Sequence, residues 1–105
     1  MTAPPPLSPE RRQAALVKAA AVRRERAEVR EGLKCGTLSL REVLATDSPA
    51  VRGMPVRALL EALSYIGRVR ADGLLAELGI SESRRIRGLG VQQRDRLRQR
   101  FTPQG

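Results

Sequence analysis

Histidine is absent from this 105-residue chain, and cysteine occurs once, at Cys35. No disulfide can close within the chain, and no cysteine–histidine metal site can be assembled. The commonest general base of enzymes is missing as well, since only an unperturbed imidazole titrates near neutral pH. Aromatic residues are limited to Tyr65 and Phe101, so a core must be built from Leu, Val, Ile and Ala. No run approaches the roughly 18 apolar residues of a membrane span. The opening M-T-A-P-P-P-L-S-P-E has neither a basic start nor an apolar stretch, so it does not read as a secretion signal. These features lead us to expect a chain of the cytoplasm with no cofactor, no metal and no membrane partner.

Acidic residues are also in short supply. Eleven Asp and Glu face twenty Lys and Arg, giving a net charge of +9. Nearly all the cations are arginine, whose planar fork binds phosphate in a bidentate manner that lysine cannot match. A surplus of this size in a small domain points to nucleic acid as the partner. The plainer reading is a soluble arginine-rich surface, because net charge speaks to association rather than to fold.

Period-2 strand patterning is lacking, and the apolar residues recur at helical spacing, so the expected class is all-α. The Pro-rich residues 1–7 read as extended or disordered. Ser8 as N-cap, Pro9 at the first position and Glu10 in the first turn then start a long helix to about Leu33. Gly32 and Gly36 mark its end. Its stripe (Ala15, Ala19, Val22, Val29, Leu33) is made of small residues in the first half, which can bury little. Beside the stripe, Arg23, Arg26, Arg30 and Lys34 share a neighbouring face. That face reads either as solvated charge or as a second phosphate-contacting surface; a coiled-coil seam is disfavoured by Arg26 and by the lack of large core residues.

Further on, Ser39 and Glu42 have capping-box spacing, predicting a short helix over 40–45. A helical turn after Ser48–Pro49 breaks at Gly53, and a core helix runs from Pro55 to about Leu63. The turn Ser64-Tyr65-Ile66-Gly67 follows, with Ile66 inward and Gly67 where backbone approaches closely or takes positive φ. The next helix spans Arg68 to Leu78 and stops at Gly79; a last helix spans Val91 to Arg100, pinned by Val91, Leu97 and Phe101. The organisation expected is residues 1–7 as a disordered segment, 8–36 as the long helix and 37–105 as a compact helical domain.

Catalysis finds no support, since no nucleophile stands with a base in a dry site. Phosphate binding finds three supports. A helix–turn–helix places unpaired N–H groups at Gly67. Arg68 and Arg70 open the helix after it. The stretch R-R-I-R-G-L-G gathers Arg84, Arg85 and Arg87 beside Gly88 and Gly90, with Ile86 turned inward. The last of these carries the most weight, because charge and backbone freedom coincide there.

The stretches P-L-S-P-E-R-R-Q-A-A-L, A-L-L-E-A-L-S-Y-I-G-R-V-R-A and L-G-I-S-E-S-R-R-I-R-G-L-G, in this order, resemble the actinobacterial integration host factor family over nearly the whole chain. The resemblance implies a helix-two-turn-helix module behind a long N-terminal helix, and a nucleoid-associated protein. Such a protein binds the phosphate backbone of double-stranded DNA with little sequence preference, alters its path or supercoiling and assists site-specific recombination. It implies DNA contacts at Gly67, Arg68, Arg70, Arg84, Arg85, Arg87, Gly88 and Gly90, a recombinase acting on the same DNA, and a place in the nucleoid. A monomer is the expected state. The family's usual turn, L-P-G-[IV]-G-K, is departed from: Ser64 and Tyr65 stand for its proline and first glycine, and the Tyr65 hydroxyl is a substitute contact. The turn is also similar to that of a small-subunit ribosomal protein family, which gives an RNA-binding structural protein as the alternative. A basic module meeting an acidic protein partner is a second alternative.

Overall fold

In a computed structural model of the chain, residues 8–63 and 66–101 are described. The element order is α1 (Pro9–Cys35), α2 (Leu40–Leu44), α3 (Pro49–Arg52), α4 (Val56–Ala62), α5 (Arg68–Leu78), a 3-10 turn (Ile86–Gly88) and α6 (Val91–Arg100). The class is all-α, as the helical spacing predicts.

The helices start and stop where local chemistry supplies partners for their end groups. Ser8 Oγ accepts from Arg11 N at 3.2 Å, and Pro9 begins α1 without a donor to waste. At α2 the capping box is formed in both directions: Glu42 N donates to Ser39 Oγ at 3.1 Å, and Ser39 N donates to Glu42 Oε1 at 3.4 Å. α5 ends at Gly79 with φ 70°, and Ile80 N reaches back to Leu75 O at 2.8 Å. That left-handed residue and the long return bond close the helix and aim Ile80 into the core.

The core forms where α4 is wrapped by its neighbours. Val56, Leu59 and Leu60 of α4 and Leu97 of α6 have no exposed surface. α4 packs on α1 and α5, α1 also on α3, and α6 on α2 and α5. Leu75 and Ile86 close the cluster at 1% exposure each. No charged or polar residue is buried among those described. Of α1, only Val29 and Leu33 are buried, while Leu16 and Val17 are more than half exposed. The outer half of this 27-residue helix therefore stands clear of the core, as its small residues require.

Two expectations are corrected. Val91 does not pin α6: it is 79% exposed, and the anchoring falls to Leu97, the half-buried Phe101 and polar ties. Gln93 Nε2 donates to Gly79 O at 2.9 Å, and Arg94 Nη1 donates to Leu44 O at 2.9 Å, capping α2 from across the fold. Gly67 does not take positive φ; it is the N-cap of α5 with φ −89° and ψ 178°. Extended backbone is the ordinary N-cap geometry and is open to any residue. Among the described residues, positive φ occurs at Gly36 and Gly79.

Candidate nucleic-acid interface

The basic segment before α6 is held to the core by a tie between distant parts of the chain. Val56 N donates to Arg84 O at 2.9 Å, and Ile86 N donates to Met54 O at 3.0 Å. This antiparallel bridge, Pro55 to Arg85, joins the segment to the entry of α4. With Ile86 buried beneath it, the arginines on either side are turned away from the core. A 3-10 turn follows, and Gly90 N donates to Gln93 Oε1 at 3.0 Å where α6 begins.

The three arginines of the segment are differently placed. Arg84 is half-buried; its Nη1 donates to Gly88 O at 3.0 Å, and its Nε is enclosed without an acceptor. Gly88, expected to let backbone approach a nucleic-acid strand, instead leaves room for Arg84, whose Cδ would lie 3.2 Å from a Cβ at that position. Arg85 and Arg87 are exposed. Arg85 Nη1 donates to the carbonyl of Gly53, and Arg87 Nη1 lies beside Gly53 as well. Ser81, Ser83, Arg84, Arg85, Arg87 and Gly88 line one open recess of about 380 Å³. The two serines were not among the expected site residues. Their signal in the sequence is the alternation S-E-S before R-R, which puts hydroxyl donors next to guanidinium groups.

At the other turn, Gly67 is exposed, and a Cβ there would meet nothing within 4 Å. The first return bond of α5 is Ala71 N to Gly67 O at 2.9 Å. The N–H groups of Arg68, Val69 and Arg70 precede that bond and open outward, an arrangement suited to an anion. Arg68 and Arg70 are exposed. Tyr65, expected to offer a substitute contact, lies outside the described residues.

The basic face of α1 is divided. Arg23 is exposed. Arg30 and Lys34 edge a groove between α1 and α4 that reaches Ile66, beside the Gly67 turn. Arg26 points elsewhere: it is half-buried, and its Nε donates to Ala50 O of α3 at 2.8 Å. The sequence grouped these four by helical spacing alone; packing sends Arg26 toward the Arg85–Arg87 side of the molecule.

Glu31 and Glu61 share the groove with Arg30 and Lys34. The ion pairs Arg57–Glu61 (3.0 Å), Arg57–Asp72 (2.9 Å), Arg98–Asp95 (3.8 Å) and Arg100–Glu77 (3.9 Å) involve other arginines. Cys35 is exposed, and its Sγ donates to Glu31 Oε1 at 3.2 Å. That hydrogen bond to a carboxylate, and then the carboxylate's charge, hold the thiol above its ordinary pKa. The group stays a thiol rather than a nucleophilic thiolate at neutral pH.

The family model for the S13-like H2TH domain matches residues 33–101. The integration host factor of Streptomyces coelicolor is 52% identical over 103 residues, covering 96% of each chain. That of Mycobacterium tuberculosis is 50% identical over 99 residues, covering 92% of this chain and 94% of the relative. A solved structure of sIHF bound to an 8 bp palindromic DNA superposes with a TM-score of 0.78 at 50% identity, covering 80% of this chain and 97% of that one. With the helix-two-turn-helix model matched over residues 33–101 and relatives about half identical over nearly the whole chain, the chain belongs to the actinobacterial integration host factor family.

Proposed function

We propose that this chain is a nucleoid-associated protein that grips duplex DNA by its phosphates, with little sequence preference, and shapes the duplex it holds. The observation that carries the reading is the recess of Ser81, Ser83, Arg84, Arg85, Arg87 and Gly88. It combines hydroxyl and guanidinium donors on a segment clamped to the core, and no base-reading helix is needed to fill it. Contacts of that kind fix position on a duplex without reporting its sequence. The open N–H groups after Gly67, with Arg68 and Arg70, supply a second grip. Arg23, Arg30 and Lys34 extend the positive field along α1. The role is binding without catalysis. Relatives matched over almost their full length carry the integration host factor name, which favours DNA over the ribosomal RNA reading.

The test is a titration of random-sequence duplex DNA across a salt series, with A-form duplex RNA as competitor. If about five phosphates are neutralised, the slope of log K against log salt is about −4 to −5. Replacing Arg84, Arg85 and Arg87 together by alanine is expected to weaken binding to every duplex by a similar factor. An affinity indifferent to salt sinks the proposal, and equal or better binding to RNA transfers it to the ribosomal class. Shaping is read separately, by ring closure of short duplexes, which the protein is expected to enhance.

A further inference from the structure

Gly53 closes α3 with φ −83° and ψ −3°, ordinary right-handed backbone. It is buried, yet what surrounds it is charge. A Cβ built there would lie 2.7 Å from Arg26 Nη2 and 3.3 Å from Arg87 Nη1. Its carbonyl accepts from Arg85 Nη1, and Ala50 O, one turn earlier, accepts from Arg26 Nε at 2.8 Å. Three guanidinium groups, from α1 and from the basic segment, thus meet at one backbone position. Among the described residues, none of the three is paired with a carboxylate within 4.0 Å. Gathering like charges is unfavourable unless an anion lies between them. Each of Arg26 and Arg85 spends one N–H on an α3 carbonyl and keeps others of its five for a ligand. The carbonyl bonds hold these long side chains in place before any ligand arrives, which lowers the ordering cost of binding.

We propose that Gly53 is the positioning residue of a three-arginine phosphate clamp, Arg26–Arg85–Arg87, which carries the DNA track from the basic segment onto α1. The clamp rests on the DNA-binding reading above and deepens it. Gly53 acts through the arginines: only a residue without a side chain lets Arg26 and Arg87 close on the same point.

The substitution Gly53→Ala separates this role from a purely structural one. Its backbone angles suit alanine, and alanine restricts the unfolded chain, so thermal stability is expected to hold or rise. The added methyl displaces flexible guanidinium ends rather than backbone. Affinity for a random-sequence duplex is expected to fall about tenfold, with the salt slope about one unit shallower. Arg26→Gln is expected to cost affinity in the wild-type background and little in the Gly53→Ala background, because coupled residues do not add. Wild-type affinity and slope in Gly53→Ala overturn the clamp, as does full additivity of the two changes. If Gly53→Ala lowers the melting temperature, the cycle of Arg26→Gln with Arg87→Gln decides: coupling between them upholds the clamp, and additivity overturns it. Wild-type protein that fails to bind the duplex in the same series overturns the DNA-binding reading itself.

Discussion

Gly73 and Gly79 belong to one helix, and the same substitution has opposite effects at the two. Gly73 lies inside α5 on an exposed face, where a Cβ would meet nothing within 4 Å. Alanine there recovers helix propensity, and Gly73→Ala is expected to raise stability by up to ~1 kcal/mol. Gly79 holds φ 70° after the last turn. Gly79→Ala is expected to lower stability by about 1–2 kcal/mol, the cost of a left-handed residue with a Cβ. Chemical denaturation of the two variants checks both signs; a Gly79→Ala protein as stable as wild type would show that the cap relaxes to another geometry. The contrast shows what was legible at this scale. Gly79 was readable because a helical pattern ends there and Ile80 follows. Gly53 was readable only as a break, since its crowding comes from Arg26 and Arg87, which are far away in sequence.

At the scale of elements, the ends of helices were legible and their partners were not. Ser8–Pro9 and the Ser39–Glu42 box act within one turn, so local spacing suffices. The bridge between Pro55 and Arg85 joins segments whose pairing no local pattern encodes. The same limit explains Val91 and Leu97: both are apolar and near the ends of α6, and only the packing of α2 and α5 decides which is buried. Leu97, with no exposed surface, is the sole buried residue of α6. Leu97→Ala is therefore expected to cost about 2–5 kcal/mol, a large share of the roughly 5–15 kcal/mol that holds a domain together. Urea unfolding should show a lower midpoint with an unchanged slope. DNA affinity, corrected for the folded fraction, should stay near wild type, since the basic segment keeps its own tie through Met54 and Val56. A loss of corrected affinity would mean that α6, rather than the bridge, orients the arginines.

For the whole molecule, the net charge of +9 sets salt against itself. The ion pairs found lie on α4, α5 and α6, whereas Arg26 and Arg85 beside Gly53 have backbone carbonyls for company. Arg57 is half-buried and the other two pairs are exposed; pairs so near the surface contribute little, so self-repulsion is the larger electrostatic effect on the fold. Salt screens it, with the Debye length falling from about 10 Å at ~0.1 M to about 3 Å at ~1 M. The melting temperature of the protein alone is therefore expected to rise with salt. A bound duplex supplies the same neutralisation by other means, and at ~100-fold excess over Kd it stabilises by about 2.7 kcal/mol. Since salt weakens that binding, the shift produced by duplex DNA should be greatest at low salt and shrink as salt rises, until the two melting curves converge. Thermal melts with and without random-sequence duplex across one salt series measure both trends together. A melting temperature of the protein alone that falls with salt would show attraction outweighing repulsion in the fold. A duplex-induced shift that persists at high salt would mean that the grip is not made to phosphates.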